Sequence, residues 1–178
     1  MPPSPLTPTG RVILGMIALG RQTGYDIKQF VDKTTSNFWS ASYGQIYPEL
    51  KRLEDQGLVV GREEPTGERA RTVYDLTPAG QAALEEWLTA DRVLIDESRD
   101  EGMLKLFFSD VVPEQRIENI RAMRAVHERK LAVLRGIEEQ TRFVRTGPYL
   151  TLQLGIGVTE FVINWCEETE RRLLAEES

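Results

Sequence analysis

Apolar and polar positions follow two rhythms along this chain, and the first 90 residues contain both. Prolines at positions 2, 3, 5 and 8 cannot sit in a helix interior, so residues 1–9 read as a flexible arm. Thr7-Pro8 is a cap followed by proline at the first helical position. Val12 to Leu19 then runs apolar on nearly every side, the pattern of a helix buried beneath others. Thr23-Gly24-Tyr25-Asp26 marks a second start, followed by Ile27, Phe30 and Val31 at helical spacing. Ser42-Tyr43-Gly44-Gln45 fits a capping box, and Ile46, Leu50 and Leu53 form an i, i+4, i+7 stripe that Gly57 closes. The rhythm then shortens. Leu58-Val59-Val60 and Thr72-Val73-Tyr74-Asp75-Leu76 flank a turn cluster at Pro65-Thr66-Gly67, which predicts a two-stranded hairpin. Thr77-Pro78 starts a fourth helix that reaches Ala90.

From residue 91 onward the pattern stays helical and broadens. Pro113 opens a run to about Arg145, with Ile117, Ile120, Leu131 and Leu134 at heptad-like a and d positions. Arg124, His127 and Glu138 interrupt that seam, so a strict coiled coil is not expected. After Gly147-Pro148, Tyr149 to Cys166 is apolar on most faces before Glu167 to Glu177 turns charged. Such a helix needs a second cover, and a two-fold partner subunit is the economical supplier. Gly155 and Gly157 predict close backbone approach between helices. The expected fold is mainly α: an N-terminal winged helix-turn-helix with a two-stranded wing over residues 10–90, and a C-terminal α-helical dimerisation domain over residues 91–178.

Composition narrows the function. Hydrophobic residues make up 40% and charged residues 28% of the 178, which argues against disordered, collagen-like and transmembrane chains. One cysteine, Cys166, cannot form an intramolecular disulfide, and one histidine, His127, cannot complete the usual structural zinc sites. The same two counts leave nucleophilic catalysis without a base beyond His127, so no enzyme, metal or cofactor is expected. Cys166 reads as a buried small hydrophobe and His127 as a packed or surface residue. With no basic segment ahead of Val12 to Leu19, a secretory signal is not expected, and the chain is placed in the cytoplasm with no membrane partner.

Charge tests any nucleic-acid reading, because residues 1–90 carry 9 basic and 11 acidic side chains and the whole chain is at −6. The placement of charges therefore matters more than their sum. With Ile46, Leu50 and Leu53 inward, Gln45, Tyr47, Lys51 and Arg52 fall on the outer or flanking face of the third helix, while Glu49 and Glu54 flank the core. Ser42, Tyr43 and Gln45 in its first turn are of the kind that reads base edges or holds phosphates. The spacing is equally met if Ser42 and Gln45 only cap and Tyr47 packs on a neighbouring helix. Pro48 either interrupts the helix beyond its first turn or begins it. In the hairpin, Arg69 and Arg71 share a strand face with Arg62 on the facing strand; they contact phosphates or pair with Glu63, Glu64 and Glu68. Trp39, Phe107, Phe108, Phe161 and Trp165 are candidate lining for a small planar ligand, with core or interface packing as the alternative for the last two.

Gly24-Tyr25-Asp26-Ile27, Phe38-Trp39, the run Ser42 to Leu58 with Tyr47-Pro48, and Tyr74-Asp75-Leu76-Thr77-Pro78-Ala79-Gly80 resemble the PadR family of transcriptional regulators over about residues 10–90. Residues 95–175, with Lys105-Leu106-Phe107-Phe108, resemble the helical C-terminal region of the branch that includes virulence activators. The resemblance implies a homodimer whose third helix reads a palindromic double-stranded operator and whose C-terminal helices dimerise. It also implies repression, released in some relatives by an aromatic or phenolic compound. The family's wing is often more basic than Thr66 to Thr72 here. The expected function is a sequence-specific DNA-binding repressor; the alternative is a winged-helix module that docks protein without touching DNA.

Overall fold

The computed structural model describes residues 6–35, 38–66, 69–90, 100–141 and 146–176. The chain divides into two compact units, Met1–Leu94 and Ile95–Ser178. The first contains α1 (Pro8–Ala18), α2 (Gly24–Lys33), α3 (Tyr43–Asp55), the antiparallel strands β1 (Val59–Thr66) and β2 (Arg69–Leu76), and α4 (Pro78–Thr89). Of the expected arm, residues 1–5 lie outside the described residues, and Thr7 to Thr9 are already the cap and first turn of α1.

Each helix end follows from its residues. The hydroxyls of Thr7, Thr23 and Thr77 accept the backbone N–H of Gly10, Asp26 and Gly80 at 2.9–3.0 Å, capping α1, α2 and α4. Both α1 and α3 end in a Schellman turn on a glycine in the left-handed region. Gly20 (φ 79°) donates to Ile17 O while Arg21 donates to Met16 O; Gly57 (φ 70°) donates to Glu54 O while Leu58 donates to Leu53 O. Leu53 and Leu58 are both buried, which supplies the apolar contact that accompanies this turn.

One core holds the first unit together. Ile13, Leu14, Met16 and Ile17 of α1 meet Ile27 and Val31 of α2, Ile46, Leu50 and Leu53 of α3, Leu58 and Val59 at the wing base, and Leu84 of α4. Val12 to Ile17 is apolar on several sides because α1 packs against α2, α3, α4 and β2, whereas Ala18 and Leu19 at the end of the run are exposed. The hairpin is longer than its β-forming residues predict. Pro65 lies inside β1 opposite Ala70, and Thr66 opposite Arg69, so the expected turn does not begin at Pro65; residues 67 and 68 lie outside the described residues. In a two-stranded sheet each strand is an edge, so a proline without an N–H is tolerated. At the base of the wing, Tyr74 N–H donates to Gln22 O at 2.7 Å, tying the α1–α2 connection to β2.

The second unit consists of α5 (Glu101–Phe107), two short 3-10 turns (Ser109–Val111 and Pro113–Gln115), α6 (Arg116–Thr141) and α7 (Gly147–Glu176). The seam between α6 and α7 buries Ile120, Met123, Leu134, Ile156, Thr159 and Cys166. Arg121 and Arg124 both hold Glu170, and Arg135 spans Glu138 and Glu160, which fixes the register of the pair near both ends. Within the chain, the α7 glycines make no close approach to another helix. A Cβ on Gly155 would meet Leu134 at an ordinary 3.7 Å, and one on Gly157 would meet nothing within 4 Å.

Gly80 is the tightest point of the first unit. A Cβ there would lie 1.9 Å from the Leu58 carbonyl oxygen, a backbone atom already accepting Thr77 N–H, so no side chain can swing aside to relieve it. Gly80→Ala is expected to destabilise the first unit by about 3 kcal/mol or more, beyond ordinary overpacking. Urea unfolding followed by tryptophan emission checks this; a midpoint equal to wild type would mean that α4 can move off the wing base.

Candidate nucleic-acid interface

The first turn of α3 is built by Ser42 and Gln45. Ser42 N–H donates to Gln45 Oε1 at 2.9 Å, and the Ser42 hydroxyl lies 3.1 Å from the same oxygen. The capping function read from the spacing is thus present, and it uses the oxygen of the Gln45 amide rather than its NH2. Because α3 begins at Tyr43, Pro48 stands inside it, and the Gly44 carbonyl loses the N–H that residue 48 would otherwise supply. The reading in which Pro48 begins the helix is excluded. Around Gly44 there is open space, with only Ser42 Oγ within 4 Å of a notional Cβ.

Burial of Ile46, Leu50 and Leu53 turns Tyr43, Gly44, Gln45, Tyr47, Pro48 and Lys51 to the surface. The rings of Tyr43 and Tyr47 stack 6.0 Å apart at 19°, and Lys28 of α2 places its ammonium 5.6 Å from the Tyr43 ring centre. Tyr47 keeps half of its surface exposed, yet its ring also rests against Gly24 at the start of α2. The two readings of Tyr47, packed and outward, are both true of different parts of the side chain. Lys51 pairs with Asp55 at 3.2 Å with both groups largely in solvent, where such a pair contributes little and leaves the ammonium available.

Arg52 faces elsewhere. Its Nε and Nη2 donate to the two oxygens of Glu49 at 2.9 and 2.6 Å, and Thr7 donates to Glu49 from the cap of α1. Only 29% of the Arg52 side chain and 12% of Glu49 are exposed, so the guanidinium joins α3 to α1 instead of extending the outward face. Burial pushes the Glu49 carboxyl up, but the hydrogen bonds from Arg52 and Thr7 and the Arg52 charge outweigh it and hold the group below its ordinary value. The Glu49 hydrogen bond raises Arg52 in turn.

On the wing, Arg71 sits directly opposite Glu64 and pairs with it at 3.1 Å, and Arg62 pairs with Asp75. Arg69 pairs its backbone with Thr66, and its side chain lies outside the described residues. Spacing overlooked Tyr25 and Lys28. The inward set Ile27, Phe30 and Val31 leaves Tyr25 exposed on α2 and Lys28 on its flank, with 17% of the Lys28 side chain exposed.

The aromatic set is dispersed. Trp39 belongs to the first unit and the other four to the second, where Trp165 packs beside Cys166 in the α6–α7 core. Phe107 and Phe108 touch edge to face at 5.0 Å, yet Phe107 is 79% exposed, and Phe161 is exposed as well. Burial pushes the Cys166 thiol up, consistent with a packed, unreactive residue. His127 is half-buried and lowered by burial and then by Lys130. Among the described residues, no three His, Cys, Asp or Glu side chains are placed to hold a metal ion, and no helix is long and apolar enough to cross a membrane.

Three helices, a β-ribbon and a hydrogen-bonding helix start turned to the surface define the winged-helix class of transcriptional regulators. Residues 13–86 match the Transcriptional regulator PadR-like family, and residues 98–173 match Virulence activator alpha C-term. The chain is 33% identical over 166 residues to the negative transcriptional regulator PadR of Bacillus subtilis (strain 168), covering 87% of this chain and 91% of that one. It belongs to the PadR family, whose members are regulators and not enzymes. Bacillus subtilis PadR in complex with operator DNA superposes with a TM-score of 0.82 at 29% identity, covering 91% of this chain and 97% of the other. The same protein in complex with p-coumaric acid gives 0.77 at 28%, covering 91% and 96%.

The depressed Glu49 carboxyl links folding to pH. A carboxylate lowered in the folded state contributes stability above its unfolded pKa and loses it as pH falls through the folded value, here as acidification proceeds below about pH 5. Glu49→Gln should lower the urea midpoint of the first unit at pH 7 and flatten its fall toward acid. Parallel acid profiles in the two proteins would assign the loss to other carboxylates.

Proposed function

We propose that this chain is a homodimeric, sequence-specific repressor that binds a palindromic DNA operator. The outward face of α3 carries the reading: Ser42, Tyr43, Gln45 and Tyr47 offer hydrogen-bonding groups, and Lys51 a charge, on a helix whose inner face is fully committed to the core. Arg52 acts from behind, holding α3 against α1. Arg69 and Arg71 are secondary phosphate contacts, since the Arg71 charge is shared with Glu64. Repression is supported by the negative regulator to which the chain is 33% identical. The paired wing cations favour the rival, a protein-docking module. Selecting bound duplexes from a random pool at two salt concentrations separates the two, because only a DNA reader enriches a palindrome with salt-dependent affinity.

Dimerisation follows from α7. Leu150, Leu154, Val158 and Phe161 are 53–68% exposed at spacings of four, four and three, an apolar stripe opposite the side packed on α6. A second copy related by a two-fold axis covers it with the same stripe. A small aromatic effector completes the reading, as the complex of Bacillus subtilis PadR with p-coumaric acid supports. Phe107 and Phe108 are the exposed rings such a compound would cover, since Phe161 lies in the stripe that the second copy covers, and Trp165 is a reporter in the same unit. It releases DNA only by binding the DNA-incompetent arrangement more tightly.

Tyr47→Ala should weaken operator binding by roughly 1 to 3 kcal/mol with little change on random DNA, whereas Lys51→Ala should flatten the slope of log K against log salt by about 0.9 on both. Titrations of both variants against selected and random duplexes check this, and wild-type operator affinity for Tyr47→Ala would remove α3 as the reader. Leu154→Asp should separate the dimer and abolish tight operator binding with it, since each half-site needs its own first unit. Sedimentation at the wild-type dimer mass would place the stripe outside the interface.

A further inference from the structure

Gly24 opens α2 without a backbone reason to be glycine. The glycines at positive φ among the described residues are Gly20 and Gly57, so the conformation at Gly24 suits any residue, and alanine is the stronger helix former. What requires glycine is the neighbouring helix. A Cβ at this position would lie 2.6 Å from Tyr47 Cε1, 2.9 Å from Cζ and 3.2 Å from Cδ1, inside the 3.5–4.0 Å at which carbon atoms rest. The obstructed atoms are the outer edge of a ring on two rotatable bonds, so an added methyl displaces the ring before it disturbs the fold. The ring is held further by its stack on Tyr43, whose face lies under the Lys28 ammonium.

We propose that Gly24 is a positioning residue for DNA recognition: by omitting a side chain it seats the Tyr47 ring against the start of α2 and fixes the direction of the phenol hydroxyl. The proposal rests on α3 being the reader. Its physical content is preorganisation, since a side chain already ordered in the free protein loses less freedom when it binds. It assigns part of the operator affinity to a residue that need not touch DNA.

A double-mutant cycle on the full-length protein tests it, with Gly24→Ala, Tyr47→Ala and the double variant measured on the selected operator and on random DNA, alongside thermal unfolding. Expected are losses of roughly tenfold on the operator for each single variant, near-wild-type melting for Gly24→Ala, and a double variant no weaker than Tyr47→Ala. Losses that multiply in the double variant would mean the new methyl meets DNA directly, and would overturn the proposal. Wild-type operator affinity for Gly24→Ala beside a weakened Tyr47→Ala overturns the positioning role alone; wild-type affinity for Tyr47→Ala removes the reader assignment and this role together. If Gly24→Ala fails to fold, recovery of folding in the double variant, at the affinity of Tyr47→Ala, locates the conflict at the ring and supports the proposal. A double variant that also fails to fold places the need in the α2 backbone and overturns it.

Discussion

The rotation of α3 about its own axis is the constraint from which the first unit takes its meaning. Ile46, Leu50 and Leu53 are wholly buried at spacings of four and three, and a turn of the helix by even one position would expose them and bury Tyr47 or Lys51 in their place. Contacts with α1, α2 and β1 hold the helix on three sides. The Glu49–Arg52 fork and Thr7 fix its distance from α1, and Glu54 accepts the Gly61 N–H at 2.9 Å to anchor the base of the wing. A bidentate guanidinium has the planar geometry for this; lysine at position 52 would keep the charge and lose the fork.

An acidic chain in a DNA-binding family raises the question of where attraction comes from. Much of the cationic charge on the first unit has an acidic neighbour: Lys28 has Asp32, Lys51 has Asp55, Arg52 has Glu49, Arg62 has Asp75 and Arg71 has Glu64. The exposed pairs are weak and screened, so phosphate can compete for Lys51 more readily than for the enclosed Arg52. On the proposed reading, counterion release falls to a few cations, Lys51 foremost, beside the directional hydrogen bonding that depends on sequence.

Local chemistry made the architecture legible. The threonine caps, the proline starts, Gly57 and the Ile46–Leu50–Leu53 stripe each act within a few residues, and each lies where its pattern placed it. What escaped depends on tertiary packing. Pro65 reads as a turn residue until β1 is known to be an edge, and Arg52 reads as an outward cation until Thr7 and Glu49 are found beside it. Lys28 meets the Tyr43 ring across two helices, a contact that spacing along one helix does not show. Gly24 reads as part of a start signal, because the ring it accommodates belongs to a residue 23 positions away. The α7 glycines suggest close approach between helices, and within the chain there is ordinary spacing at one and open space at the other.

The stripe on α7 has a consequence for the life of a single chain. Four large apolar side chains stand in water along one edge of a 30-residue helix whose opposite side is complete. On the proposed dimer, a newly made molecule is folded before this face is covered. If the proposed second copy covers the stripe, stability of the C-terminal unit becomes a property of the population, rising with the number of copies present by mass action. Dilution removes the protein twice over, since fewer chains are present and each of those left is less sheltered. A regulator built on that proposed dimer would measure its own abundance through its folding.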